Sequence, residues 1–323
     1  VNLIENTLWT EKWRPKKIDD CVLSKQNKRL FKALVANRDI PNMLFVGTAG
    51  VGKTTVAKAL AAELGMDVMF IPASEKNGID VLRNEIKSFA STVSICSDGL
   101  QKLVILDEAD FLNPSSTQPA LRSFIEEYSR NCRFIFTANY KNKIIEPLLS
   151  RLNSVEFTIP SNEKLKLADK IMKRIVGILK HEKVQIADEH IGVLAQVILK
   201  HFPDFRKTIS EIQKYSIEND NTIDAGILRL SDVNVDELFK HLKTKNFNSM
   251  RKWVADNSDS EPNTLMRKIF DGLDKNMERG SIPQAILIIA EYMHRANFVV
   301  DHEINITAMC IQIMAECLFL KGE

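Results

Sequence analysis

The hydrophobic pattern changes character once along the chain. Up to about residue 160, short uninterrupted apolar runs alternate with longer stretches of helical spacing. Runs such as Met43-Leu44-Phe45-Val46 and Leu103-Val104-Ile105-Leu106 show no polar alternation, as expected of strands covered on both faces. The pattern predicts strands at 43–47, 67–72, 102–107, 133–138 and 154–158, with helices between them. That is a parallel sheet between helical layers, an α/β fold. From Asn162 the spacing is helical, and 164–183, 188–201 and 205–217 are expected to form a small bundle. The stretch 219–230, with Asn219-Asp220-Asn221 and Asp224-Ala225-Gly226, reads as a boundary. Beyond Val233 the chain is helical again. The expected domains are 1–160 (α/β), 161–230 (helical) and 231–323 (helical).

Two late segments are strongly apolar. The run 283–292 opens with Pro283 at a first helical turn and is apolar on more than one stripe, so it calls for burial on several sides. The run 304–320 contains Asn305, Gln312 and Glu316 and is too interrupted for a membrane span. Both suit a helical core or a subunit interface.

The chain has 323 residues, enough for two or three domains. Its 44 basic and 42 acidic residues leave a net charge of +2, so charge alone makes no case for nucleic acid. The five cysteines, Cys21, Cys96, Cys132, Cys310 and Cys317, form no C-x-x-C pair, which argues against a zinc module. No signal peptide is visible, and reduced thiols in a cytoplasmic protein are expected.

The chemistry is concentrated in two places. Gly47-Thr48-Ala49-Gly50-Val51-Gly52-Lys53-Thr54 has the full spacing of a phosphate loop, between a predicted strand and a predicted helix. Its glycines, with Val51, let backbone N–H groups close around phosphates, and the helix N-terminus adds favourable partial charge. Lys53 would reach the β- and γ-phosphates of a nucleoside triphosphate, the Thr54 hydroxyl would hold Mg²⁺, and Thr55 follows in the same turn. Leu106-Asp107-Glu108-Ala109-Asp110 ends a second apolar strand, where α/β folds bind ligands. Asp107 would orient the metal, largely through water, and Glu108 would accept a proton from the attacking water. These residues point to hydrolysis of a nucleoside triphosphate. The letters Asp-Glu-Ala-Asp also occur in helicases and leave the kind of motor open.

Further motifs fall in order around that centre: Glu11-Lys12-Trp13-Arg14-Pro15, then Thr137-Ala138-Asn139, then Ser150-Arg151, then Phe202-Pro203-Asp204-Phe205-Arg206-Lys207. Together they resemble the AAA+ clamp-loader ATPases of the replication factor C small-subunit type. Phe202–Ile209, Asp224–Leu228 and Gln118–Ser129 are most similar to the T-even-phage branch. The resemblance covers Trp9 to about Leu230 and beyond that rests on length and helical character. It implies an AAA+ domain, a helical lid and a helical oligomerisation collar. It also implies that Thr10, Glu11, Lys12, Trp13 and Val22 wrap the adenine. In it Asn139 acts as the first sensor, Arg206 as the lid's sensor, and Arg151 as an arginine finger donated to a neighbouring subunit. Ser150-Arg151-Leu152 stands where the family has Ser-Arg-Cys, which keeps the arginine.

The same resemblance places Lys76, Ile79, Arg83, Ser115 and Ser116 along template-strand phosphates, contacts without base preference. It places Ile86 and Phe89 against a sliding clamp, although both also fit an ordinary core face. Gln118 and Arg122, soon after the metal carboxylates, are candidates for relaying DNA binding to Glu108. The implied partners are a sliding clamp, primer–template DNA, further copies of the chain in a spiral pentamer, a non-identical loader subunit and, indirectly, a DNA polymerase holoenzyme. The competing readings are an AAA+ DNA translocase or helicase, a non-catalytic scaffold subunit of the same assembly, and a protein-remodelling AAA+ ATPase. Intact Lys53, Thr54, Asp107, Glu108 and Arg151 argue against the scaffold.

Overall fold

The computed structural model describes residues 8–75, 78–92, 101–187, 190–228, 235–258, 262–296 and 298–320, without the side chains of Asp80 and Val81. The chain forms two compact units, Val1–Arg229 and Leu230–Glu323.

Five strands build the main sheet of the first unit: β1 (Met43–Val46), β2 (Val68–Pro72), β3 (Lys102–Asp107), β4 (Cys132–Ala138) and β5 (Asn153–Glu156). They pair in parallel in the order β2-β3-β4-β1-β5. Every predicted strand is present, with ends displaced by no more than two residues. Because side chains alternate along a strand, each apolar run feeds two cores. Leu44, Val104, Leu106, Phe134 and Phe136 point to one face, and Met43, Phe45, Leu103, Ile105 and Ile135 to the other.

The helices ahead of the lid are α1 (Trp9–Lys12), α2 (Lys25–Asn37), α3 (Lys53–Leu64), α4 (Ile79–Ser91), α5 (Thr117–Glu127) and the short α6 (Glu146–Leu149). Phe31 of α2 with Val56 and Leu60 of α3 cover one face. Leu82 and Ile86 of α4 with Leu121 and Phe124 of α5 cover the other. Since all strands run the same way, the loops after β1, β3 and β4 emerge along one edge of the sheet. That edge holds the candidate site.

The remainder of this unit is helical: α7 (Lys164–His181), α8 (Ile191–His201) and α9 (Phe205–Glu218). Ile171, Ile175 and Ile178, three or four apart on α7, pack with Leu194, Val197, Ile198 and Ile212. Trp9 of α1 is buried in this same core, and its backbone N–H donates to Gln213 Oε1 at 2.9 Å. The stretch expected to be a boundary is built structure as far as Leu228. β7 (Thr222–Ile223) pairs with β6 (Gln185–Ile186), and Ile223 and Ile227 are fully buried. Its polar residues tie the turn: Asp224 Oδ1 accepts from the Tyr215 hydroxyl and, at 2.7 Å, from the Gly226 N–H. Local side-chain bonding of this kind gives a structured turn the composition of a linker.

The second unit packs α10 (Val235–Lys243), α11 (Phe247–Asp256), α12 (Pro262–Asn276), α13 (Ile282–Arg295) and α14 (His302–Glu316) around one core. α13 buries Ala285, Ile288, Ile289 and Tyr292 but leaves Leu287 67% exposed, so within this unit one stripe is covered and another is not. The apolar run expected to be helical to Leu320 breaks at Glu316. Leu318 and Leu320 instead exchange backbone bonds with Glu278 and Asn276. No described helix is long and apolar enough to cross a membrane.

Candidate nucleotide and catalytic site

The phosphate loop follows β1 directly and turns into α3. Gly50 (φ 74°) and Gly52 (φ 93°) lie in the left-handed region, where a side chain costs conformational energy. Lys53, the first residue of α3, is buried at 8% exposure. Its ammonium donates to Gly47 O (2.7 Å), Thr48 O (2.8 Å) and Asn139 Oδ1 (2.9 Å). All three acceptors are neutral. Burial therefore holds the Lys53 pKa below the usual lysine range, although Asp107 and Asp110 pull it back up. A buried, under-neutralised cation inside a glycine loop is a site built for a polyanion.

The acidic half lies at the end of β3, two strands from β1 with β4 between them. Asp107 Oδ1 accepts from the Thr54 hydroxyl and from the Thr137 hydroxyl, each at 2.6 Å. The Thr137 Oγ1 in turn accepts from the Glu108 N–H at 3.0 Å. Glu108 adopts φ 57°, a left-handed conformation that bends the chain sharply out of β3. Thr54 and Asp107 offer adjacent hard oxygens, the donor set Mg²⁺ takes together with phosphates and water. Among the described residues no group of three or more His, Cys, Asp and Glu side chains could hold a metal alone.

Thr10, Glu11, Trp13, Val22, Gly50, Val51, Gly52, Lys53, Thr54, Thr55, Asp107, Glu108, Asn139 and Arg206 line one cleft. Gly47 sits at its base as the Lys53 acceptor. Arg206 enters from the first turn of α9, where Asp204 caps the Lys207 N–H at 2.9 Å. The lid touches the phosphate loop there, since the Phe205 N–H donates to Gly50 O at 3.2 Å. Lys12 departs from expectation. It faces away from the cleft onto Glu182 Oε1 at 2.7 Å, an oxygen shared with the Trp13 indole N–H at 2.6 Å. Burial alone would raise the Glu182 pKa, but Lys12 and Trp13 lower it further, to a net depression. Trp13 also packs against His181, with ring centroids 5.0 Å apart and planes tilted by 33°.

Arg151 follows α6 and is tied to Glu126, whereas Ser115 and Ser116 sit exposed ahead of α5. Arg83 is exposed on α4 and Ile79 is half-buried at its start, while Lys76 lies outside the described residues. The expectation for Ile86 is corrected: its side chain is fully buried between α4 and the sheet and is not available to a partner. Phe89 is half-buried, with the Lys102 ammonium 4.9 Å from its ring centroid. Gln118 is fully buried, and Arg122 on the same helix is exposed. Gln118 Nε2 donates to Leu112 O (3.1 Å) and Lys143 O (2.9 Å), and Oε1 accepts from the Ile145 N–H (2.8 Å).

The sequence does not single out Thr137 or Arg14 as site residues. Thr137 is the hydroxyl that joins Asp107 to Glu108, and nothing distinguishes it locally from any other strand threonine. Arg14 lines the cleft with Nε and Nη1 buried and without hydrogen-bond partners, while Nη2 pairs with Glu11. Its signal was the Glu-Lys-Trp-Arg-Pro motif itself.

Residues 43–160 match the family of ATPases associated with various cellular activities (AAA), and 163–229 match the sliding-clamp-loader large subunit AAA+ ATPase lid domain. The sliding-clamp-loader large subunit of Enterobacteria phage T4 is 35% identical over 98% of both chains. That of Escherichia phage RB69 is 37% identical over 80% of this chain and 81% of its own. The replication factor C small subunit of Saccharolobus solfataricus is 37% identical over 69% of this chain and 66% of its own. With its phosphate loop, metal-side carboxylates and lid meeting in one cleft, the chain belongs to the sliding-clamp-loader large-subunit family of AAA ATPases.

Proposed function

We propose that the chain is the ATPase subunit of a DNA-polymerase sliding-clamp loader. ATP binding drives clamp opening and grip on primer–template DNA, and hydrolysis stimulated by DNA and clamp releases the closed clamp on DNA. The observation that carries this is the connected set Lys53–Asn139 and Thr54–Asp107–Thr137–Glu108 in a chain alignable end to end with the phage T4 large subunit.

In this reading Lys53 exchanges its neutral acceptors for phosphate oxygens. Thr54 and Asp107 would hold Mg²⁺, which would supply Lewis-acid neutralisation of the transferring phosphoryl group. Glu108 takes the proton of the attacking water, and Asn139 and Arg206 orient the γ-phosphate. Thr10, Glu11, Trp13 and Val22 enclose the base. Arg151 completes the site of a neighbouring copy, which makes an isolated chain a poor ATPase. Several copies and a non-identical subunit form the spiral, joined through the second unit.

Arg83, Ser115 and Ser116 face DNA phosphates. This is supported by their exposure and, for Arg83, by the N-terminus of α4, which carries no side-chain cap; the Thr117 and Gln118 N–H groups at the start of α5 already donate to Asn113 O. Phe89 rather than Ile86 has ring surface to offer a clamp. Gln118, bonded to the segment that leads to α6, carries DNA contact toward the site, with Arg122 beside it.

The test is steady-state ATP hydrolysis by the chain co-purified with its partner subunit, assayed alone, with primer–template DNA, with clamp, and with both. Synergy between DNA and clamp, abolished by Arg151→Ala, is expected. Stimulation by single-stranded DNA with no clamp effect would replace this reading with a translocase.

A further inference from the structure

The Arg151 guanidinium is held at a definite place before any neighbour arrives. Nε donates to Glu126 Oε1 at 2.7 Å, and Nη2 lies 2.6 Å from the same oxygen. Nη1 donates to Pro147 O at 2.8 Å and contacts Ser150 Oγ at 3.1 Å. Arginine has five N–H donors, so most of its capacity is met within the chain. Pro147 and Ser150 are local to the turn that carries Arg151. Glu126 alone comes from another element, the last turns of α5.

That difference gives Glu126 a specific job. A long arginine side chain loses many rotamers when it must meet one point in a neighbour's site, and prior ordering reduces that cost. The carboxylate also fixes the arginine to a stiff helix. α5 is locked at its other end by Gln118, which bonds Leu112, Lys143 and Ile145, and Glu126 lies eight residues further along, about 12 Å at the helical rise. The pair is solvent-accessible, with Arg151 at 27% and Glu126 at 56% side-chain exposure. Nη2 keeps a second N–H, so Arg151 can meet a phosphate while Glu126 still holds Nε.

We infer that Glu126 is a positioning residue for Arg151, coupling the arginine presented to the next subunit to the helix whose start faces DNA. The inference rests on the trans role proposed for Arg151. The assembled loader is tested with Glu126→Gln, Glu126→Ala and Arg151→Ala, with rates expressed per intact complex counted by mass photometry. Expected are a fall of about two- to fivefold in DNA- and clamp-stimulated kcat for Glu126→Ala, a smaller fall for Glu126→Gln, which keeps an acceptor oxygen, and an unchanged KM for ATP. Arg151→Ala is expected to abolish stimulation. Full kcat in Glu126→Ala beside an inactive Arg151→Ala overturns this inference and leaves the finger standing, as does a raised KM at constant kcat. Full stimulation in Arg151→Ala removes the trans role, and the inference with it.

Discussion

Gly50 is the point where the lid meets the phosphate loop, and replacing it with alanine tests that junction quantitatively. A Cβ built there falls 1.8 Å from Asp204 Oδ1, and the residue holds φ +74°. Two separate costs follow. Forcing a side chain into the left-handed region costs about 1–2 kcal/mol. The carboxylate must also swing away, and it is the N-cap of α9, accepting from the Lys207 N–H. Losing such a cap costs about 1 kcal/mol. Gly50→Ala should therefore destabilise the first unit by about 2–3 kcal/mol, and Asp204→Ala by about 1 kcal/mol. In the double variant the cap is lost only once. It should be about 1 kcal/mol less destabilised than the sum of the singles. Urea unfolding followed by far-ultraviolet circular dichroism, on all four members of the cycle, reads this directly. Additivity within about 0.3–0.5 kcal/mol would refute the claimed steric competition between the loop glycine and the helix cap.

Two further outcomes are expected. Gln118→Ala leaves Leu112 O, Lys143 O and the Ile145 N–H without their partner in a fully buried site. It should lower the melting temperature and reduce DNA stimulation of hydrolysis more than basal turnover, and unchanged stimulation would remove Gln118 from the relay. Burial pushes the Cys21 thiol, which lines the cleft, up to about 12. Because the folded pKa is raised, its contribution to stability is complete below the unfolded thiol value of about 8.5. That contribution is lost as pH rises from there toward the folded value. At pH 8, mass-resolved alkylation with iodoacetamide should spare Cys21 until denaturant is added, and rapid native labelling would show that the thiol is not sheltered as described.

The chemistry and much of the fold were legible without coordinates, and for a local reason. Short-range signals carry a phosphate loop: Gly50, Gly52, Lys53 and Thr54 fall within one short stretch, and the strand and helix flanking them are set by neighbouring residues. The three central strands, β1, β3 and β4, were equally plain because a doubly covered strand writes itself as an unbroken apolar run, whereas the edge strands β2 and β5 leave most of their residues exposed or half-buried. What the sequence left open was everything that depends on which segments meet. Ile86 and Phe89 share a helical face in the sequence, yet only packing on the sheet makes one fully buried and the other partly exposed. Lys12 and Trp13 sit together in one motif, and only the arrival of Glu182, far along the chain, draws Lys12 out of the cleft. Thr137 became part of the site because β3 and β4 run parallel in a register that sets its hydroxyl beside Asp107. The stretch 219–228 reads as a linker because its asparagines and aspartates bond locally, and only pairing with 185–186 shows it to be built into the lid. Local geometry is encoded by neighbours along the chain. The tertiary structure alone decided which distant groups share a cleft, a hydrogen bond or a buried face.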